Sequence, residues 1–280
     1  MTVGIVTDST AYIPEVIAAS LAIEVVPVQV IVDGVAYDEF RHITVDEVVA
    51  ALRKGKKVTT SRPNPDQFLD AYRRLAQRGF DSIVSVHLSS HLSGTYESAL
   101  LASQQSPVPT QVIDSRGVAA MVGHAALAGA RLAKSGADLD TVTAAVEQRC
   151  AASSIEFYVD TLEFLQRTGR ISNMKSRVGT VLSVKPILHM VEGQVVQHEL
   201  VRTTSKAVDR LVELVVAHVT GPCEIAVHHV DAAVRADQVA QRLCEKLNIP
   251  SVTVTSAGAV IAAHVGPGAV AVVVTRLVST

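Results

Sequence analysis

The sequence contains no Trp, and aromatic residues make up only 4% of it, so there is little from which to build the stacking platforms of single-stranded nucleic-acid binders. Basic charge is not in surplus either. The 25 Lys and Arg against 27 Asp and Glu leave a formal net charge of −2, which argues against nucleic acid and against an anionic membrane surface as partners. Cysteine is scarce and odd in number. Cys150, Cys223 and Cys244 are scattered, with no CxxC, which speaks against a disulfide framework or zinc knuckle and suits a reducing, cytoplasmic setting. No apolar run approaches the length of a bilayer span, so no stable membrane insertion is expected. The first residues, from Met1 to Val6, lack the basic start and long apolar stretch of a signal peptide and read as a strand. P-loop, GxGxxG, HExxH, EF-hand and GxSxG motifs are all missing.

What is present is a 280-residue chain, 48% hydrophobic and 19% charged, which is globular and long enough for two domains. The high hydropathy has two readings. Buried parallel strands with Ala-rich helices account for it, and so does an interior apolar cavity.

The first 150 residues alternate short apolar runs with helical patterns. Strands are expected at 3–6, 24–32, 82–88 and 111–113. Helices are expected to start near Pro14 and over 44–53, 65–78, 93–103 and from about 116 to Lys134. Such β-then-α alternation predicts a parallel sheet covered by helices. Beyond about residue 155 the pattern changes. Runs at 186–190 and 194–201 flank Glu192-Gly193, which reads as a hairpin. Helices follow at 204–219 and 232–247, with strands at 224–229, 251–255 and 269–276. The expected fold class is therefore α/β: an N-terminal parallel-sheet domain over 1–155 and a C-terminal α+β domain with antiparallel strands over 156–280.

Three strand ends in the first domain carry small hydroxyl or acidic residues directly before a helix: Thr7-Asp8-Ser9-Thr10, the segment from Ser89 to Thr95, and Asp114-Ser115. In open α/β sheets, ligands bind beyond the carboxyl ends of the strands. Ser93-Gly94-Thr95 suits an anion best. Gly94 lets a ligand approach the backbone, Ser93 offers a hydroxyl, and the new helix presents unpaired N–H groups at its positive end. The plain alternative is that these residues only cap helices. A second hydroxyl cluster is Thr59-Thr60-Ser61-Arg62-Pro63-Asn64-Pro65, which its two prolines are expected to hold in a rigid turn leading into a helix, a plain N-capping loop being the alternative. The adjacent His228 and His229 end a strand and point to opposite faces, so no metal site is expected there. Ser93 with His91 or His87 would suggest a hydrolase, but no acid partner is visible, and no catalytic residue is assigned.

Five segments together resemble the DegV family, a fatty-acid-binding group that shares its N-terminal fold with dihydroxyacetone kinase. They are Ile5-Val6-Thr7-Asp8-Ser9-Thr10; Thr60-Ser61-Arg62-Pro63 with Phe68; Leu88-Ser89-Ser90-His91-Leu92-Ser93-Gly94-Thr95-Tyr96; Thr168-Gly169-Arg170-Ile171-Ser172; and His264-Val265-Gly266-Pro267-Gly268-Ala269. The resemblance spans nearly the whole chain. It implies a long-chain (C14–C18) fatty acid, palmitate for example, buried between two domains, with no other cofactor. It implies that Thr60, Ser61, Ser93, Gly94 and His264 meet the carboxylate. Arg170 and Arg202 match positions that stabilise phosphate or dock a kinase. The implied partner is a separate dihydroxyacetone-kinase-like acyl kinase that phosphorylates the bound acid, the carrier itself being no enzyme. An enzyme acting directly on an acyl or phosphorylated small molecule through Ser93 is the alternative. Two positions depart from the family pattern: His91, where Gly is common, and Arg62, where a neutral residue is common. His91 and Ser9 are additional candidates for the site. Phe68, Tyr96, Phe164 and residues 118–133 are candidates for the tail pocket.

Overall fold

A computed structural model of the chain describes residues 2–171 and 184–277. Its first layer system is a four-stranded parallel sheet in the order β2-β1-β6-β7, formed by β1 (Val3–Asp8), β2 (Ile23–Val26), β6 (Ser82–His87) and β7 (Thr110–Asp114). Every residue of β1 and β6 is buried, because helices cover both faces. Strand alternation divides the side chains between two cores. Val3 and Ile5 face α5 (Ala120–Lys134) and α6 (Leu139–Ala151), while Val6 and Ile83 face α3 (Pro65–Gln77) and α4 (Thr95–Ser103). Gly4 sits under α3, where any side chain would press on Leu75. The short helix α1 (Glu15–Ser20) leads from β1 to β2.

A three-stranded antiparallel sheet, β4-β3-β5, interrupts this pattern. It comprises β3 (Gln29–Val32), β4 (Val35–Asp38) and β5 (Val58–Ser61), with α2 (Val45–Arg53) between the last two. Two expectations are corrected here. The single strand expected over 24–32 is two strands, broken at Pro27 and belonging to different sheets. The proline has no N–H for a ladder, and Val28 N is instead bonded to the Ser9 hydroxyl at 3.0 Å. Thr59, Thr60 and Ser61 are not a turn. They form β5, with Thr60 opposite Val30, and only residues 62–64 turn. Asn64 then caps α3 in a reciprocal pair with Gln67, and Pro65 occupies the first helical position.

The third sheet has six strands in the order β10-β9-β8-β13-β11-β12. These are β8 (Ser153–Tyr158), β9 (Lys185–Val191), β10 (Gln194–Val201), β11 (Cys223–His229), β12 (Thr253–Ser256) and β13 (Val270–Arg276). All pairings are antiparallel except β11 with β12, and the hairpin at Glu192-Gly193 stands as expected. Helices α8 (Thr204–His218) and α9 (Ala233–Leu247) cover one face, and Thr203 caps α8. The other face packs against α7 (Glu163–Thr168), α10 (Ala259–Val265), α2 and the small sheet, in one continuous core.

Candidate functional site

Between the parallel sheet and the inner face of the six-stranded sheet lies a cavity of about 100 Å³. Its wall is drawn from the carboxyl ends of the parallel strands (Thr10, Leu88, Leu92, Ser93, Val118 and Ala119), from β8 to β10 (Ile155, Phe157, Met190 and Val195), and from α10 (Val260, Ile261 and His264). This is the position where open α/β sheets bind ligands. Ala119, just before α5, holds φ 59° and ψ −137°, a conformation that costs an L residue about 1–3 kcal/mol and that persists only where surroundings impose it.

Most of this wall is apolar; its polar members are Thr10, Thr60, Ser93, Arg170, His228, His229 and His264. Thr60 Oγ1 and His264 Nε2 are 2.9 Å apart. Arg170 donates from Nε to the Leu92 carbonyl at 3.2 Å, next to Ser93, and also to the Thr168 carbonyl. Burial, and then the nearby Arg170 charge, hold the His264 imidazole down at about 4, so it is neutral at physiological pH. A neutral imidazole carries one N–H. If the Thr60 hydroxyl donates to Nε2, Nδ1 carries that proton, and among the described residues Nδ1 is buried without a partner. Ser93 does not cap α4. Its Oγ lies 2.8 Å from Thr95 Oγ1, and the cap residue is Gly94, which offers no side chain to the first-turn amides. Those amides therefore keep donor capacity.

The other candidates separate into near and far. A side chain at Gly94 would collide with the Arg62 guanidinium, so Arg62, despite being exposed, reaches over the start of α4. Alternation along β5 turns Ser61 away from the cavity that Thr60 lines, and its Oγ donates to the Arg62 carbonyl. His91 is exposed and packs against Gly193 at the β9–β10 turn, off the cavity wall. Arg202 is exposed beyond the end of β10. Ser9 donates to buried Glu39 at 2.5 Å, and Glu39 also accepts from Val260 N at 2.9 Å, so Ser9 latches the parallel sheet to α10. Of the tail candidates, Phe68 is sealed on the inner face of α3 against His87, and neither Tyr96 nor Phe164 lines the cavity; from 118–133, Val118 and Ala119 do. Ser172 falls outside the described residues.

His228 went unrecognised as a wall residue. Its Nδ1 is 2.7 Å from Thr255 Oγ1, its Nε2 is buried without a partner among the described residues, and burial holds its imidazole down at about 4. The strands that wall the cavity were also only partly recognised, although Ile155 and Phe157 carry the two-residue period of a half-buried strand. A hydrolase arrangement is present in outline, but not at Ser93. Ser85, His87 and Asp8 form a hydrogen-bonded row at 2.7 and 3.1 Å, with every member fully buried. No substrate reaches it.

Related proteins match this chain over nearly its whole length. A DegV domain-containing protein of Streptomyces coelicolor is 44% identical over 274 residues, covering 97% of this chain and 98% of its own. One from Mycobacterium bovis is 39% identical, covering 98% of this chain and 97% of its own. Among solved structures, a fatty acid binding DegV family protein from Thermus thermophilus superposes with a TM-score of 0.92 at 33% identity, over 99% of this chain and all of the other. DegV of Bacillus subtilis, described as a fatty acid binding protein, superposes with a TM-score of 0.89 at 31% identity, over 99% of this chain and all of its own. The family model "Uncharacterised protein, DegV family" matches residues 2–277, and the chain belongs to the DegV family.

Proposed function

We propose that this chain binds one long-chain fatty acid, of the C14–C18 class, between the units 1–155 and 156–280, and performs no chemistry on it unaided. The observation that carries this reading is the cavity itself: a mostly apolar wall in which Thr60, His264, Ser93 and Arg170 gather near the start of α4, with Thr10, His228 and His229 as its other polar members. A buried carboxylate costs several kcal/mol unless donors surround it. Two hydroxyls, the α4 amides and the Arg170 guanidinium supply donors and one positive charge. The tail supplies affinity. At about 0.8 kcal/mol per buried methylene, a chain of about fourteen methylenes contributes roughly 11 kcal/mol before ordering costs. The head group thus sets direction while the tail sets strength. The fatty-acid-binding relatives in the family support the same ligand class.

Carriage implies a recipient. A dihydroxyacetone-kinase-like acyl kinase would find Arg170 at the head-group end and Arg202 on the surface, where cations suit a developing phosphate. The first test is mass spectrometry of an organic extract of the purified chain. A stoichiometric long-chain acid is expected, or uptake of added palmitate or oleate if the preparation is empty, with sharply reduced retention in the Thr60→Ala, Ser93→Ala double variant. An empty extract together with no uptake overturns the proposal. Turnover of acyl esters or ATP by the chain alone would instead favour an enzyme acting through Ser93.

A further inference from the structure

The inner residues of β8 to β10 wall the cavity; the outer face of the same strands carries a different chemistry. Glu156 on β8 stands directly opposite His189 on β9. The β9–β10 register slips between Gln197 and Glu199, leaving His198 as the extra residue of a bulge. Bulges re-aim side chains, and this one brings the His198 ring against that of His189, stacked at 4.4 Å between centroids and 22° between planes. His198 Nδ1 lies 3.2 Å from one Glu156 oxygen, and His189 Nδ1 lies 3.6 Å from the other. A third imidazole, from His218 at the end of α8, places Nδ1 3.9 Å from Glu156.

We propose that Glu156, His189 and His198 form a binding site for a divalent transition-metal ion of the zinc class, with His218 or water completing the coordination. One ligand atom from each of the three residues lies within 4.8 Å of the others. Four ligands held about 2.0–2.1 Å from a zinc ion are separated from one another by roughly 3.3 Å, so closing the cluster requires only small side-chain movements. The donor set also suits the ion: imidazole nitrogens with one carboxylate favour zinc, copper, nickel or iron over calcium and magnesium. The Glu156 side chain is 4% exposed, whereas His189 and His198 are 27% and 28% exposed, so the carboxylate is anchored inside while the approach stays open. The simpler role, a hydrogen-bonded brace of the sheet, needs one imidazole; three converging on one buried carboxylate exceed it. An ion here would tie the β9–β10 hairpin to β8 from behind the wall formed by Phe157, Met190 and Val195. This site stands whether or not the cavity takes a fatty acid.

The test uses the full, tag-free chain stripped with a chelator and titrated with Zn²⁺ and Co²⁺. One equivalent of tightly bound ion is expected, with a tetrahedral or five-coordinate Co²⁺ spectrum. His198→Ala and Glu156→Gln should each weaken Zn²⁺ binding by about 100-fold, as the loss of a direct ligand must exceed the 10–100-fold effect of removing a supporting partner. In the unmodified chain, Co²⁺ should selectively broaden the His189 and His198 ring-proton resonances, which keeps the test independent of how the variants fold. Absence of stoichiometric binding, equal affinity in folded variants, or broadening confined to other histidines would each overturn the site.

Discussion

Two buried polar networks in this molecule are built from the same residue types and end differently. At the carboxyl ends of β1 and β6, Asp8 accepts from Thr10 N, the Thr10 hydroxyl and Leu88 N, and pairs with His87, whose other nitrogen pairs with Ser85. Tyr72 then donates to Ser85. Both ring nitrogens and both carboxylate oxygens are engaged. Across the cavity, His228 is buried and His264 half-buried, and among the described residues each pairs through only one nitrogen, His264 with Thr60 and His228 with Thr255. Buried polar atoms are rarely left unpaired, so the completed set reads as a brace, while the open one fits the head-group site proposed above.

Breaking the brace should have the largest effect. Asp8→Ala leaves the Leu88 and Thr10 amides and His87 without their acceptor, and is expected to destabilise the chain by about 3–5 kcal/mol in chemical denaturation. A loss below about 1 kcal/mol would mean that the network does not hold the strand ends. The Glu39 latch, which joins the two networks' territories, comes next. Burial, against the opposing pull of the Ser9 and Val260 hydrogen bonds, raises its carboxyl from the usual 4.5 to about 7. The folded chain therefore holds that proton more tightly than the unfolded chain. Its stabilising contribution is complete below about pH 4.5 and is lost as pH rises through 7, on the order of 2–3 kcal/mol. Glu39→Gln should gain on the parent chain over that interval in paired pH-dependent melts; parallel curves would remove the latch. His228 and His264 act oppositely, their depressed values making stability present above about 6.5 and lost as pH falls towards 4. The smallest effect belongs to the open network. Ser93→Ala should leave stability within about 0.5 kcal/mol while weakening fatty-acid binding about tenfold, one charge-assisted hydrogen bond's worth, by displacement of a fluorescent acid. Unchanged affinity would take Ser93 out of the head-group site.

How much of this was legible beforehand follows from which forces are local. The parallel sheet and its helices were readable because burial on both faces makes β1 and β6 short, largely apolar runs between helical patterns. Ser93-Gly94-Thr95 was readable because a small-residue turn into a helix is a local signal. Thr60 is legible as a hydroxyl but not as a strand residue: β5 is only four residues long, and its partner β3 becomes a separate strand only at the break at Pro27. Ser61 and His91 sit beside wall residues in sequence, and one residue of strand alternation or one turn of loop moves them off the wall. The cavity itself is assembled from segments as distant as Thr10 and Ala271, and no window of sequence contains it. The Glu156 cluster needed a bulge, which shifts register without a residue signature of its own.

Strand β13 occupies an interior place in the six-stranded sheet, between β8 and β11, although it follows every other strand of that sheet along the chain. During synthesis the sheet must therefore wait with an open seam, its two halves unpaired, until residues 270–276 arrive to zip them together. Pairings this remote in sequence form slowly. The cavity wall that includes Ala269 and Ala271 comes into being in the same step. A half-made molecule thus lacks a finished cavity, and the space that the proposed ligand would fill arrives all at once, with the closing of the seam.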